Sequence, residues 1–166
     1  MSTQSSWLDL GLDALPTPRA QRIRLFRVLM ATSAQLRGRL DRELAPSGIT
    51  SQQAAMLQMI EAQKEAPTIS AVAQTLGMTH QNVKQIAAAL ERKGFLDIVV
   101  DTVDRRARRL QLTAHHHRFW KARNPSDFSS VEAWTSALTD AEVATVVRLL
   151  NRLKDQLHSP ARTPGP

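Results

Sequence analysis

The sequence predicts a mainly α-helical chain carrying one small β-hairpin: a winged helix-turn-helix flanked by N- and C-terminal dimerisation helices. Three observations carry that expectation. Apolar residues recur at three- and four-residue spacings through most of the 166 residues, as they do on amphipathic helices. The only strand-like runs, Ile98-Val99-Val100 and Leu110-Gln111-Leu112, stand either side of a charged turn, as in a hairpin. Two helical segments separated by a short glycine-bearing turn come just before them.

The elements follow in order. Residues 1–18 mix Ser, Thr and Gln with an apolar cluster, Trp7, Leu8, Leu10 and Leu12, ahead of Pro16 and Pro18; they predict a flexible arm that docks through Trp7. Residues 19–49 predict the N-terminal dimerisation helix. Ile23, Phe26, Leu29, Leu36, Leu40 and Leu44 line one side, seven arginines lie around the rest, and Pro46 and Gly48 end it. Residues 50–113 predict the winged unit. Thr50-Ser51-Gln52-Gln53 reads as a capping box, opening a helix over 51–63. A short helix over 69–76 stops at Gly77, and a third covers 79–93 with Val83, Ile86, Ala87 and Leu90 on one face. The hairpin closes the unit. Residues 114–158 predict C-terminal dimerisation helices, broken or kinked at Asn124-Pro125 because proline donates no N–H and disfavours helical geometry before it. Thr139-Asp140-Ala141-Glu142 is a second capping box, followed by Val143, Val146, Val147, Leu150, Leu153 and Leu157 on one face. The tail 159–166, with three prolines and a glycine, predicts disorder. Amphipathic helices at both ends of a small chain predict a dimer.

Composition narrows the function. Lys and Arg number 22 against 15 Asp and Glu, a formal charge of +7, which favours a polyanionic partner. There is no cysteine, so disulfides, thiolate zinc sites, thiol switches and cysteine nucleophiles are excluded. The longest apolar run, Ile86 to Leu90, is far short of the roughly 18 residues of a membrane span. No basic segment followed by an apolar stretch opens the chain, so no secretory signal is expected, and the expected location is cytoplasmic. No glycine-rich phosphate loop, nucleophile elbow or triad is present, so no enzyme and no cofactor are expected.

The candidate site lies in the winged unit. A short helix braces a second whose exposed N-terminal end can enter a major groove about 12 Å wide. That end carries Thr79, His80, Gln81, Asn82, Lys84 and Gln85. Gln and Asn pair bidentately with adenine, Lys suits guanine, and Thr suits a phosphate or a thymine methyl. In the hairpin turn, Arg105, Arg106, Arg108 and Arg109 surround Asp101 and Asp104. Arginine suits the strongly negative minor groove of A·T-rich DNA, and an aspartate two residues before an arginine can hold its guanidinium. Asp104, Arg105, Arg106 and Arg108 complete the set expected to meet double-stranded DNA.

The strings Leu76-Gly77-Met78-Thr79-His80-Gln81-Asn82-Val83, Leu90-Glu91-Arg92-Lys93-Gly94-Phe95-Leu96, Asp101-x-x-Asp104-Arg105-Arg106 and Leu110-Gln111-Leu112-Thr113 together resemble the multiple-antibiotic-resistance regulator (MarR) family. With the flanking helices, the resemblance covers roughly residues 20–157. It implies a homodimeric transcription regulator, in most members a repressor, on a pseudo-palindromic operator. It also implies that Asp104 orients the wing, that Arg106 enters the minor groove, and that Gln81, Asn82, Lys84 and Gln85 read bases. Ala114-His115-His116-His117 replaces the charged turn and glycine usual in the family, and Asn124-Pro125 falls where many members run an unbroken helix.

Consecutive histidines 115–117 point about 100° apart on a helix, so no metal site is expected. Trp120, Trp134, Phe119 and Phe128 read as core packing. The alternative is an effector pocket for a small aromatic anion, with Arg24, Arg27 or Arg37 pairing its carboxylate; no ligand-binding residue is assigned. Two further functional readings stay open: a low-specificity architectural DNA-binding protein, and a winged-helix module that binds an acidic protein.

Overall fold

The computed structural model describes residues 7–158; the expected tail over 159–166 lies outside them. Residues up to His116 form one compact unit and those from His117 a second. The elements in order are α1 (Thr17–Leu44), a 3-10 turn (Ala45–Ser47), α2 (Ser51–Glu61), α3 (Ile69–Leu76), α4 (His80–Arg92), β1 (Leu96–Val100), β2 (Arg108–Leu112), α5 (Ala114–Thr135) and α6 (Asp140–His158).

In the first unit, the core is built where α2, α3, α4 and the hairpin meet. Met56, Leu57, Val72, Val83, Leu90, Leu96 and Leu110 are fully buried, and Val83, Ile86, Ala87 and Leu90 fill the inner face of α4 as their spacing requires. α1 is different. Of its apolar positions only Leu44 is buried, while Leu25, Phe26, Met30 and Leu36 remain exposed. On the face its period predicts, Phe26 and Leu36 are exposed while Ile23, Leu29 and Leu40 are half-buried.

The segment before α1 is tied down by charge. Arg24 Nε donates to Asp9 Oδ1 at 2.6 Å, and Arg27 donates to the carbonyls of Leu8 and Leu10 at 3.1 and 2.8 Å. Leu12 is buried, whereas Trp7 is 61% exposed, so the docking residue is Leu12 in place of the expected Trp7.

Helix α2 opens with the capping box its sequence spelled out. Thr50 Oγ1 accepts from Gln53 N–H at 3.2 Å and Thr50 N–H donates to Gln53 Oε1 at 3.3 Å. Asp41 of α1 adds a carboxylate at the same helix start, accepting from Ser51 N–H at 2.6 Å. That bond holds its carboxyl below the usual value, and it suits the positive end of the helix dipole. From the other side, Lys93 Nζ donates to Gly48 O and Gln53 Oε1. Buried His116, in the first turn of α5, has Nε2 3.5 Å from Glu61 Oε2 of α2.

In the second unit, α5 passes through Pro125 without a break, which corrects the expected interruption at Asn124-Pro125. One proline removes one N–H, and neighbouring residues hold the turn around it. Arg123 Nε pairs with Asp127 Oδ2 at 2.9 Å across the site, and Ser129 Oγ donates to Pro125 O at 3.1 Å. Phe119 and Trp120 meet edge-on at 5.1 Å. Neither Phe128, which is exposed, nor Trp134 makes a ring contact among the described residues, so the four aromatics do not form one cluster. Helix α6 is capped as expected: Thr139 N–H donates to Glu142 Oε2 at 2.8 Å, which holds that carboxyl below its usual value. Val143, Val146, Val147, Leu150 and Leu157 leave an exposed apolar stripe along it. No described helix is long and apolar enough to cross a membrane.

Candidate nucleic-acid interface

The turn between α3 and α4 is set by Gly77, whose φ of 61° is a left-handed conformation that costs glycine little. Met78 N–H donates back to Ala73 O at 2.9 Å, satisfying a carbonyl at the end of α3 in a Schellman arrangement. Two residues on, Thr79 caps α4, its Oγ1 accepting from Asn82 N–H at 3.2 Å. The cap uses the oxygen as acceptor, so the hydroxyl proton remains able to reach a phosphate.

The buried face of α4 fixes what the other face presents. Thr79, His80, Gln81, Lys84 and Gln85 are exposed, and Asn82 is half-buried. These are the residues the sequence singled out, and the fold places them together on the open end of one helix.

The hairpin supplies the second half of the site. β1 and β2 pair antiparallel with Leu96 opposite Leu112 and Val100 opposite Arg108. The turn at 101–107 is organised by its two aspartates. Asp101 Oδ1 accepts from Val103 and Asp104 N–H at 2.7 and 2.8 Å, and Oδ2 pairs with Arg109 Nε. The backbone N–H groups of Asp104 and Val103, followed by the Arg109 side chain, hold the Asp101 carboxyl below its usual value. Asp104 Oδ1 accepts from Arg106 N–H at 2.9 Å. The expected grip on the Arg106 guanidinium is absent: among the described residues Asp104 forms no ion pair. Asp104 therefore shapes the backbone at Arg106, because a carboxylate two residues back reaches the N–H before it reaches the far end of a long side chain.

The four arginines take different positions. Arg108 folds back, donating to Arg105 O and Ala107 O at 3.1 Å each. Arg109 is half-buried and reaches Ala66 O at 2.7 Å. Arg105 and Arg106 are exposed, and among the described residues their guanidinium groups have no partner.

Helix end and wing face each other across a groove of about 960 Å³, whose lining includes Ser70 of α3, His80 and Lys84 of α4, and Asp104, Arg106 and Arg108 of the wing. Cations dominate its rim. Asp101 and Arg109 are the contributors that sequence reasoning left without a role. Three residues separate Asp101 from Asp104, a spacing that allows side-chain bonds to the turn's N–H groups, and this was the one signal available.

Comparison with known proteins gives a consistent answer. The model of the MarR family matches residues 47–107. The fold is similar to that of a MarR protein from Peptoclostridium difficile, with a TM-score of 0.73 at 17% identity over 81% of this chain and 87% of that one. It is also similar to MepR of S. aureus, solved as a DNA complex, with a TM-score of 0.68 at 24% identity over 80% and 95% of the two chains. AbsC, a MarR family transcriptional regulator from Streptomyces coelicolor, gives 0.72 at 17% identity over 82% and 93%. No protein of curated function matches the chain in sequence.

Proposed function

Since residues 47–107 match the model of the MarR family, we propose that the chain is a winged helix-turn-helix transcription regulator of that family and works as a cytoplasmic homodimer on a pseudo-palindromic operator. In this reading it represses genes near its own until a small, aromatic ligand releases it. Residues 50–113 bind DNA, with 19–49 and 114–158 forming the dimer. Gln81, Asn82, Lys84 and Gln85 read the major groove, Thr79 and His80 sit at its edge, and Arg105, Arg106 and Arg108 serve the minor groove and its phosphates around Asp104.

One observation carries the proposal: His80 and Lys84 at the start of α4 line the same groove as Arg106 and Arg108 of the turn, with Gln81, Asn82 and Gln85 on the same helix end outside that lining. Arg105 and Arg106 are consecutive and exposed, with no guanidinium partner among the described residues, so both are available to a polyanion. The exposed apolar faces of α1 and α6 support the dimer, because large apolar patches on a surface mark association sites. Two recognition helices reading two half-sites must then stand roughly 34 Å apart. A ligand that changes this spacing lowers operator affinity through a coupling of about 1–3 kcal/mol. Arg24 and Arg27 are engaged by the N-terminal segment, which leaves Arg37 as the arginine to pair with the ligand's carboxylate. No cysteine is present, so the release signal is not thiol oxidation.

The test is binding of the purified protein to fluorescent duplex from upstream of its own gene against a scrambled duplex at physiological salt. A preference above ~10³ is expected of an operator-reading regulator. Equal affinity for both duplexes would favour an architectural binder, and no binding to either would favour a protein-interaction module. A steep salt dependence alone decides nothing, because phosphate neutralisation drives specific and non-specific binding alike.

A further inference from the structure

We propose that Asp101 is the positioning residue of the wing, fixing through Arg109 how the arginine-bearing turn stands against the helix-turn-helix. The inference rests on the reading of that turn as DNA-facing. Asp101 is 4% exposed at the point where β1 ends, and both its oxygens are used. Oδ1 holds the N–H groups of Val103 and Asp104, the second of which begins the step that presents Arg106. Oδ2 holds Arg109 Nε. The far side of the same guanidinium donates to Ala66 O, 43 residues away in the chain. A single line of contacts thus runs from the turn through a buried carboxylate and a forked cation to the loop before α3.

The backbone repeats the connection. Leu110 N–H donates to Pro67 O at 2.9 Å, and Thr68 bridges to Arg109. These bonds hold the base of β2. Asp101 carries the constraint out to the tip, where the further side-chain bonds among the described residues are local to the turn: Arg106 N–H donates to Asp104 Oδ1 and Arg108 donates to Arg105 O. Arg109 therefore differs in kind from its neighbours. Its planar fork serves the protein's own frame, and its charge neutralises Asp101. A lysine there would lack the second donor direction.

Two variants test this: Asp101→Asn, nearly isosteric and uncharged, and Arg109→Gln, shorter and uncharged; each removes one half of the pair. Hydrogen exchange is measured along the full-length chain, together with affinity for a duplex that the unaltered protein selects from a random pool. In both variants the amides of Val103 and Asp104 are expected to exchange at least about tenfold faster while those of α4 keep their protection. Duplex affinity is expected to fall about tenfold with the salt slope unchanged, since the number of phosphates neutralised is the same. Unaltered exchange at Val103 and Asp104 would overturn the proposal. So would equal loss of protection in α4, which would make Asp101 a general support of the fold. If the unaltered protein selects no duplex, the regulator reading fails, and the exchange pattern still decides the role of Asp101.

Discussion

Arg106→Ala is expected to weaken binding to a preferred duplex by about 1–3 kcal/mol, the scale of one specific arginine contact. The guanidinium is exposed and has no partner among the described residues, so removing it costs the folded protein little, within about 0.5 kcal/mol for a surface position. Affinity and stability should therefore separate. The comparison with Arg108→Ala sharpens the point. Arg108 already spends its NH1 donor on Arg105 O and Ala107 O, so its contribution to DNA is expected to be smaller and spread evenly over sequences. Arg106→Lys should recover the electrostatic part and lose selectivity for A·T-rich flanks, because an ammonium lacks the planar fork. Anisotropy titrations with A·T- and G·C-flanked versions of one duplex measure both quantities. Equal affinity of Arg106→Ala and the unaltered protein would remove Arg106 from the interface.

The sequence made the helix starts legible because each depends on residues within four positions of one another. Thr50, Thr68 and Thr79 each accept from the N–H three residues on, and Thr139 does the same for α6. The recognition end of α4 was legible for a related reason: the spacing of Val83, Ile86, Ala87 and Leu90 fixes the inner face, which leaves Gln81, Lys84 and Gln85 outside. What the sequence hid was tertiary. Asp101 looked like one acid among four arginines, and its role appears only when Arg109 is seen to reach Ala66. At Pro125 the local rule predicts a break or a kink; the helix is not broken there, and Arg123 and Asp127 pair across the site. The bulk of Trp7 suggests the docking residue, yet Arg24 and Arg27 hold the segment by its backbone and Asp9, and Leu12 is the buried residue. Periodicity in α1 marks an apolar face and does not say what covers it.

The two faces of α4 lead to the other large effect, in stability. Leu90→Ala should destabilise the chain by about 2–5 kcal/mol, the usual cost of removing a fully buried leucine and leaving a cavity. Leu90 is 0% exposed, and its carbonyl accepts from Phe95 N–H at 3.0 Å where the helix gives way to the wing. Collapse around a smaller side chain there would move α4 and β1 together, so relaxation is poor and the upper half of that range is expected. Gln81→Ala on the outer face should leave stability within about 0.5 kcal/mol and cost about 1–3 kcal/mol in discrimination at one base pair. Chemical denaturation and duplex titration of both variants measure this exchange of effects. If Gln81→Ala destabilised the fold as Leu90→Ala does, the outer face of α4 would be part of the packing, and its polar side chains could not be free to read DNA. If instead Leu90→Ala left stability intact, the buried face would not be what aims the helix, and the geometric basis of the groove would have to lie in the wing's own anchorage at Asp101 and Arg109.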